Sequence, residues 1–307
     1  MERIPYLGHT IFKWQVGTSS FLALPDMGAR LMNWNVTLGD GSVRDIIYWP
    51  EVENLDHIAS VRGGNPILCP FCGRTYDRGD IHHWRADDGV KRPMPMHGLA
   101  RQGKFRLTRL DEGGFSAQFV PDDEARAAYP YDYEFVVSYR FDPLKLFVEL
   151  QLTNLGSTPM PWSAGHHFYF TLPWSPGRIR RDYILETTAT KHLTRNEQGG
   201  LQPGPRVGNC ETLDNANLID LIHTGLRREV FAVSEVGTGS RMIFRSGLAS
   251  HLPARDLAVV TWTMDDKAPY YCVEPWMGPP NAPETKVGLQ VVAPGQTQKF
   301  YVEITLG

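Results

Sequence analysis

"FVVSYRFDPLKLFVELQLTN", residues 135–154, decides the fold. Phe135, Val137, Tyr139 and Phe141 alternate with other residues, Asp142-Pro143 turns the chain, and Leu144, Leu146, Val148, Leu150 and Leu152 alternate again. Successive side chains on a strand point to opposite faces, so a period of two marks a strand with one buried face. The turn residues between two such runs predict a hairpin of two long antiparallel strands. The C-terminus repeats the signal. "APGQ" (293–296) turns the chain, and Phe300, Val302, Ile304 and Leu306 then oppose Lys299, Glu303 and Thr305. Elsewhere 29 glycines and 23 prolines are scattered along the chain rather than gathered in a linker, which favours many short strands. Only "DDEARAAY" (122–129) offers a helix, of two turns. With no fixed-length repeat and no low-complexity tract, the pattern predicts an all-β sandwich or barrel, one domain over residues 1–307.

At 307 residues and 42% hydrophobic content the chain has ample material for a core. Its formal net charge of −3, with Lys and Arg dispersed, lacks the footprint of a phosphate-backbone binder and argues against nucleic acid. No run approaches the roughly 20 apolar residues that span a bilayer. "MERIPYLGHT" also lacks the charged-then-apolar pattern of a secretion signal. A cytoplasmic protein, with no membrane partner, is the expectation. The four cysteines, at 69, 72, 210 and 272, are too few and too irregular for a disulfide framework. "CPFC" (69–72) has redox or zinc spacing, but "GRTYDRGD" follows with two glycines and no helical period, and no second close pair exists. Buried neutral thiols are expected there.

Four polar clusters are set among Gly, Pro and aromatic residues, as loops at a concave site often are: "GGNPILCPFCGRT" (63–75), "HHWRADDGVKRPMPMHGLARQGKF" (82–105), "WSAGHHFYF" (162–170) and "CVEPWMG" (272–278). His167 sits among aromatics, where its charge balance is open to tuning, and is a candidate general acid. His166 is expected on the other side of the strand. An isolated histidine in such a run is more often a hydrogen-bonded core residue, so the acid role leans on a partner. Glu274, between Val273 and Pro275-Trp276, is expected to be desolvated, which raises a carboxyl's pKa and strengthens it as a proton acceptor. Its alternative is a structural carboxylate in a Pro-rich turn. Arg74 offers a fixed fork of donors, or is a solvated loop residue. His97 precedes a glycine that would let backbone approach a ligand, or is a core donor. Trp276 and Trp84 offer flat faces for sugar C–H groups, or are simply core.

Taken in order, "GGNPILCPFCGRT", "MHGLAR", the hairpin ending "LTNLG", "GHHFYF" and "CVEPWMG" resemble the aldose 1-epimerase (galactose mutarotase-like) family, from about residue 20 to the C-terminus. The resemblance implies a large antiparallel β-sandwich with a sugar in an open cleft, and neither metal nor organic cofactor. It implies Glu274 as base, His167 as acid, and His97 and Arg74 as sugar-binding partners. The family's further sugar-binding Asp falls in "CETLDNANLID", with Asp214 the first choice, Asp220 the second and Asn215 a substitute. "CVEPWMG" is more like the branch that handles hexose 6-phosphates or has no assigned sugar, and Arg74, Arg101 and Lys104 are placed to meet a phosphate. A small-molecule sugar or sugar phosphate is the implied partner, for a monomer or homodimer. Three activities stay open: a mutarotase, a sugar-binding module without turnover, and a glycosidase or lyase. An acid–base pair counts against the second. Two flanking carboxylates would be needed for an ordinary glycosidase, and Asp87 and Asp88 read as solvated.

Overall fold

The computed structural model describes residues 1–248 and 256–307. Two large antiparallel sheets, of nine and thirteen strands, pack face to face. The 135–154 hairpin lies inside the nine-stranded sheet. Strand Tyr133–Asp142 pairs with Lys145–Asn154, which pairs in turn with the C-terminal strand Thr297–Leu306. Phe135, Val137, Tyr139 and Phe141 are buried on one face, with Leu146, Val148, Leu150 and Leu152 beside them. Leu144 departs from the sequence reading. Asp142 pairs directly with Lys145, so Pro143 and Leu144 form the two-residue turn, and Leu144 is exposed at a φ of +55°. Phe300, Val302 and Ile304 are buried as the alternation requires. Helix Asp123–Ala128 forms where "DDEARAAY" predicts it, because Asp122 caps it by accepting from the Ala125 N–H at 2.8 Å.

The thirteen-stranded sheet carries an N-terminal meander, Glu2–Tyr6, His9–Val16, Ser19–Leu24, Arg30–Thr37 and Val43–Ile47. It continues through Tyr169–Thr171, Tyr270–Trp276, Ala258–Trp262 and Leu221–Thr224. Its inner face meets the other sheet across an aromatic core, with Phe21 on Phe141 at 4.3 Å between ring centroids and Trp14 on Phe115 at 5.7 Å. Each such buried ring contributes roughly 1.5–3 kcal/mol through area removed from water. The pleat of Tyr270–Trp276 places everything that follows. Tyr271 and Val273 enter the core between the sheets, whereas Cys272, Glu274 and Trp276 take the outer face. Among the described residues, no helix is long and apolar enough to cross a membrane.

Candidate active site

On that outer face lies a cleft of about 510 Å³, within the roughly 300–1,000 Å³ of small-ligand sites. His167 and Glu274 meet at its floor. His167 sits two residues before Tyr169, which pairs with Cys272, so the histidine lies alongside the strand that bears Glu274. His167 Nε2 is 3.4 Å from Glu274 Oε1, and the two side chains are 10% and 2% exposed. His167 Nδ1 and Glu274 Oε2 have no hydrogen-bond partner. Burial pushes the histidine down to about 3, helped by the Arg101 guanidinium. Burial also pushes the Glu274 carboxyl well above its ordinary value, and the charge of Asp220 adds to this. Both groups therefore favour their uncharged forms.

His97 forms a second polar wall. Its ring lies edge-on to His167 at 5.3 Å and to Trp276 at 5.9 Å. Its Nδ1 accepts from the Gly73 N–H at 3.2 Å, which places the ring proton on Nε2. Burial holds the ring neutral, well below its ordinary pKa, with the neighbouring His167 adding to this. The glycine after it has a different use from the one expected. Gly98, at φ +79°, packs on the Cys69 carbonyl, where a Cβ would come within 2.2 Å, so its missing side chain serves chain packing. Cys69 and Cys72 are buried, free and pushed up by burial, as expected of neutral thiols.

Arg74 is an exposed donor on the rim, and Arg101 is half-buried. Trp276 lines the same cleft, its Nε1 donating to the His166 carbonyl at 3.2 Å. Glu274, His167, Arg74, His97, Arg101 and Trp276 thus come together from motifs spread over two hundred residues. His166 turns inward instead, hydrogen-bonded to Asn65 and stacked on Phe168. Trp84 is core, packed on Phe71 and Tyr129 with its Nε1 bound to the Ala128 carbonyl. Asp87 and Asp88 are exposed, as expected.

Asp214 lies outside the cleft. It follows the edge strand Cys210–Thr212 of the nine-stranded sheet, accepts from the Thr212 hydroxyl and pairs with Arg181. Asn215 caps the short helix Ala216–Leu218. The chain returns to the cleft-bearing sheet only at Leu221, so Asp220, at a φ of +58°, is the acid delivered to the rim. There Arg195 Nη2 donates to both its oxygens, at 2.9 and 2.8 Å.

Of the lining residues that the sequence reading did not name, four carry a charge or a large ring. Tyr169 was legible by the period of two from His167, on which it stacks. Trp262 sits opposite Cys272 by register alone, with Arg62 over its ring at 5.8 Å. Nothing around Arg62 or Arg195 in the sequence marks either as a cleft residue. A second depression of about 610 Å³, beside Tyr48 and Tyr270, shares Ser60 and Arg62 with the cleft, and its Glu53 and His57 are exposed.

Two packed antiparallel sheets with an open cleft on the outer face of the larger one define the galactose mutarotase-like fold class. The chain belongs to the aldose 1-epimerase family, whose model matches residues 13–221. That match includes His97 and His167 and stops short of Glu274, whose place is set by strand register. The chromosomal LacX protein of Lactococcus lactis subsp. lactis is 27% identical over 263 residues, covering 80% of this chain and 85% of LacX. The Slr1438 protein from Synechocystis sp. PCC 6803 superposes with a TM-score of 0.79 at 23% identity, covering 100% and 99% of the two chains. A galactose mutarotase-like protein from Clostridium acetobutylicum gives 0.80 at 17% identity, with 100% and 98% covered. At these identities the solved structures speak for the fold.

Proposed function

We propose that the protein is an isomerase that interconverts the α and β anomers of an aldose, free or phosphorylated, by opening and reclosing the pyranose ring. One observation carries the reading: a buried His167–Glu274 pair, 3.4 Å apart, at the floor of a sugar-sized cleft. Ring opening needs a base at the anomeric hydroxyl and an acid at the ring oxygen, and both oxygens sit on one carbon. The acid and the base must therefore stand side by side.

Proton bookkeeping supports the pair. The neutral state, with Glu274 protonated, and the ionic state, with His167 protonated, hold the same number of protons. They differ by one transfer across the gap. In the ionic state Glu274 takes the proton from the anomeric hydroxyl as the bond from C1 to the ring oxygen breaks and C1 becomes a carbonyl. His167 Nε2–H protonates the departing ring oxygen. Rotation about C1–C2 and reclosure from the other face give the opposite anomer, with the two proton roles exchanged. Each such transfer is worth roughly 10²–10⁴ in rate. In this reading His97 Nε2–H, Arg74 and Arg101 donate to sugar hydroxyls, Asp220 accepts from one, and Trp276 and Trp262 offer flat faces to the ring.

The cleft holds four guanidiniums, of Arg62, Arg74, Arg101 and Arg195, against the carboxyls of Asp220 and Glu274. With Glu274 uncharged, that imbalance favours a phosphorylated aldose over a free one. The decisive experiment follows freshly dissolved α-anomers of galactose, glucose, mannose and glucose 6-phosphate by polarimetry or exchange NMR, with Glu274→Gln as control. Acceleration of one sugar that vanishes in the variant is the expected outcome. Sugar binding without acceleration would replace the isomerase with a carbohydrate-binding module, and cleavage of a disaccharide would replace it with a glycosidase.

A further inference from the structure

Cys272 takes no part in this proton transfer, yet it stands beside the groups that do. It shares the outer face of one strand with Glu274, two residues away, and lies under the layer of Tyr169 and Trp262 that lines the cleft. Its Sγ and one ligand atom each of His167 and Glu274 all lie within 4.8 Å of one another. We propose that His167, Cys272 and Glu274 form a site for a thiophilic divalent cation, zinc fitting best, and that the bound ion and the sugar exclude each other. The exclusion half rests on the proposed function; the metal site stands on its own geometry.

The donor set is one imidazole nitrogen, one sulfur and one carboxylate oxygen, and three protein ligands with an open fourth position are the pattern of accessible zinc sites. At zinc–ligand distances of about 2.0–2.3 Å, tetrahedral ligand atoms stand roughly 3.5 Å apart. His167 and Glu274 already meet this at 3.4 Å, and Cys272, within 4.8 Å of both, has at most about 1.3 Å to close. Glu274 Oε2 is buried with no partner, and the cysteine is free. On binding, the Sγ–H and the Glu274 carboxyl each release a proton to solvent as sulfur–metal and oxygen–metal bonds form. The Nε2 lone pair supplies the third bond, and no electron changes hands. The guanidiniums around the cleft oppose a cation, so affinity comes from bonds to sulfur and nitrogen. Hard ions such as Mg²⁺ and Ca²⁺ gain nothing from a thiolate and are left out. His167 Nδ1 lacks the acceptor that normally fixes a zinc-bound histidine, which suits an ion that comes and goes. Because it occupies the acid and the base together, the ion blocks turnover.

The test titrates the metal-stripped full chain with Co²⁺ and reads the thiolate-to-cobalt band in the near ultraviolet. One equivalent should generate the band in the wild type and in Cys210→Ser, which removes the exposed cysteine. Cys272→Ser should lose it, with Cys272→Ala as the second variant and circular dichroism reporting folding of both. Zn²⁺ should displace Co²⁺, and Mg²⁺ should not. Zn²⁺ should slow mutarotation at least tenfold in the wild type and leave Cys272→Ser at that variant's own metal-free rate. Absence of the band, or a band that follows Cys210, overturns the site. Zinc bound at Cys272 with undiminished turnover overturns the exclusion. The cobalt spectrum decides the site even if no sugar is turned over.

Discussion

The two sheets of this protein do different work with the same alternation. In the nine-stranded sheet the period of two serves packing: the buried face of the 135–154 hairpin is apolar up to Asn154, whose amide is hydrogen-bonded at the strand's end, and its outer face carries polar residues such as Gln151 and Glu149. In the thirteen-stranded sheet the same period separates the core from the cleft within one strand, so Tyr271 and Val273 hold the core while Glu274 faces the cleft. His166 and His167 show the division in two consecutive residues. A hydrophobic pattern therefore locates strands, and a polar residue buried on the face away from the core locates the site.

Substitutions on the two sheets should separate activity from stability. Glu274→Gln preserves shape and deletes the proposed proton acceptor, so turnover should fall by roughly 10²–10⁴ while sugar binding and the denaturation midpoint hold, as calorimetry and urea titration would register. His167→Ala should lose activity to a similar degree. Were it to turn over normally, the acid would have to be sought at His97. Leu150→Ala, in the hairpin, should do the reverse, lowering stability by about 2–5 kcal/mol with kcat unchanged below the transition. A loss of kcat without a loss of stability there would erase the contrast.

Acidification sharpens the comparison further. His166 and His223 are buried and pushed down by burial to about 3, and His97 is also pushed down. Their folded pKa values lie below the ordinary value of about 6.5, so the unfolded chain binds protons first as pH falls. The contribution of His166 and His223 is complete above pH ~6.5 and is lost on the way to pH ~3, at up to about 1.4 kcal/mol per pH unit for each, and His97 acts in the same direction. Glu274, shifted upward, acts with the opposite sign above the usual carboxylate range. Urea midpoints measured from pH 7 to 4 should fall, and a flat profile would mean that these rings are solvated.

The smallest effect is the most discriminating between two neighbouring acids. Asp220→Asn should raise KM by about tenfold or more, the worth of one charged hydrogen bond, with a smaller change in kcat. Asp214→Asn should leave both constants unchanged. The opposite ranking would return the recognition role to Asp214.

The sequence made the hairpin, the C-terminal strand, the short helix and most of the polar clusters legible, because each is a local pattern. The rest required register. Trp262 and Arg195 reach the cleft through strand pairing that no local pattern encodes, and the choice between Asp214 and Asp220 turned on where the chain crosses from one sheet to the other. Leu144 was misread because the apolar alternation of the second strand runs one step back into the two-residue turn.

The pairing of Tyr169–Thr171 with Tyr270–Trp276 also bears on how the protein is made. Phe170 lies opposite Tyr271, about a hundred residues further along the chain. At roughly 5–20 residues per second, a ribosome takes about 5–20 s to supply the missing strand. Through that interval the growing chain presents an unfilled sheet edge, the kind of template that pairs with a neighbouring nascent chain. Yield during synthesis is thus tied to elongation speed and to crowding on the message, two quantities to which the finished fold is indifferent.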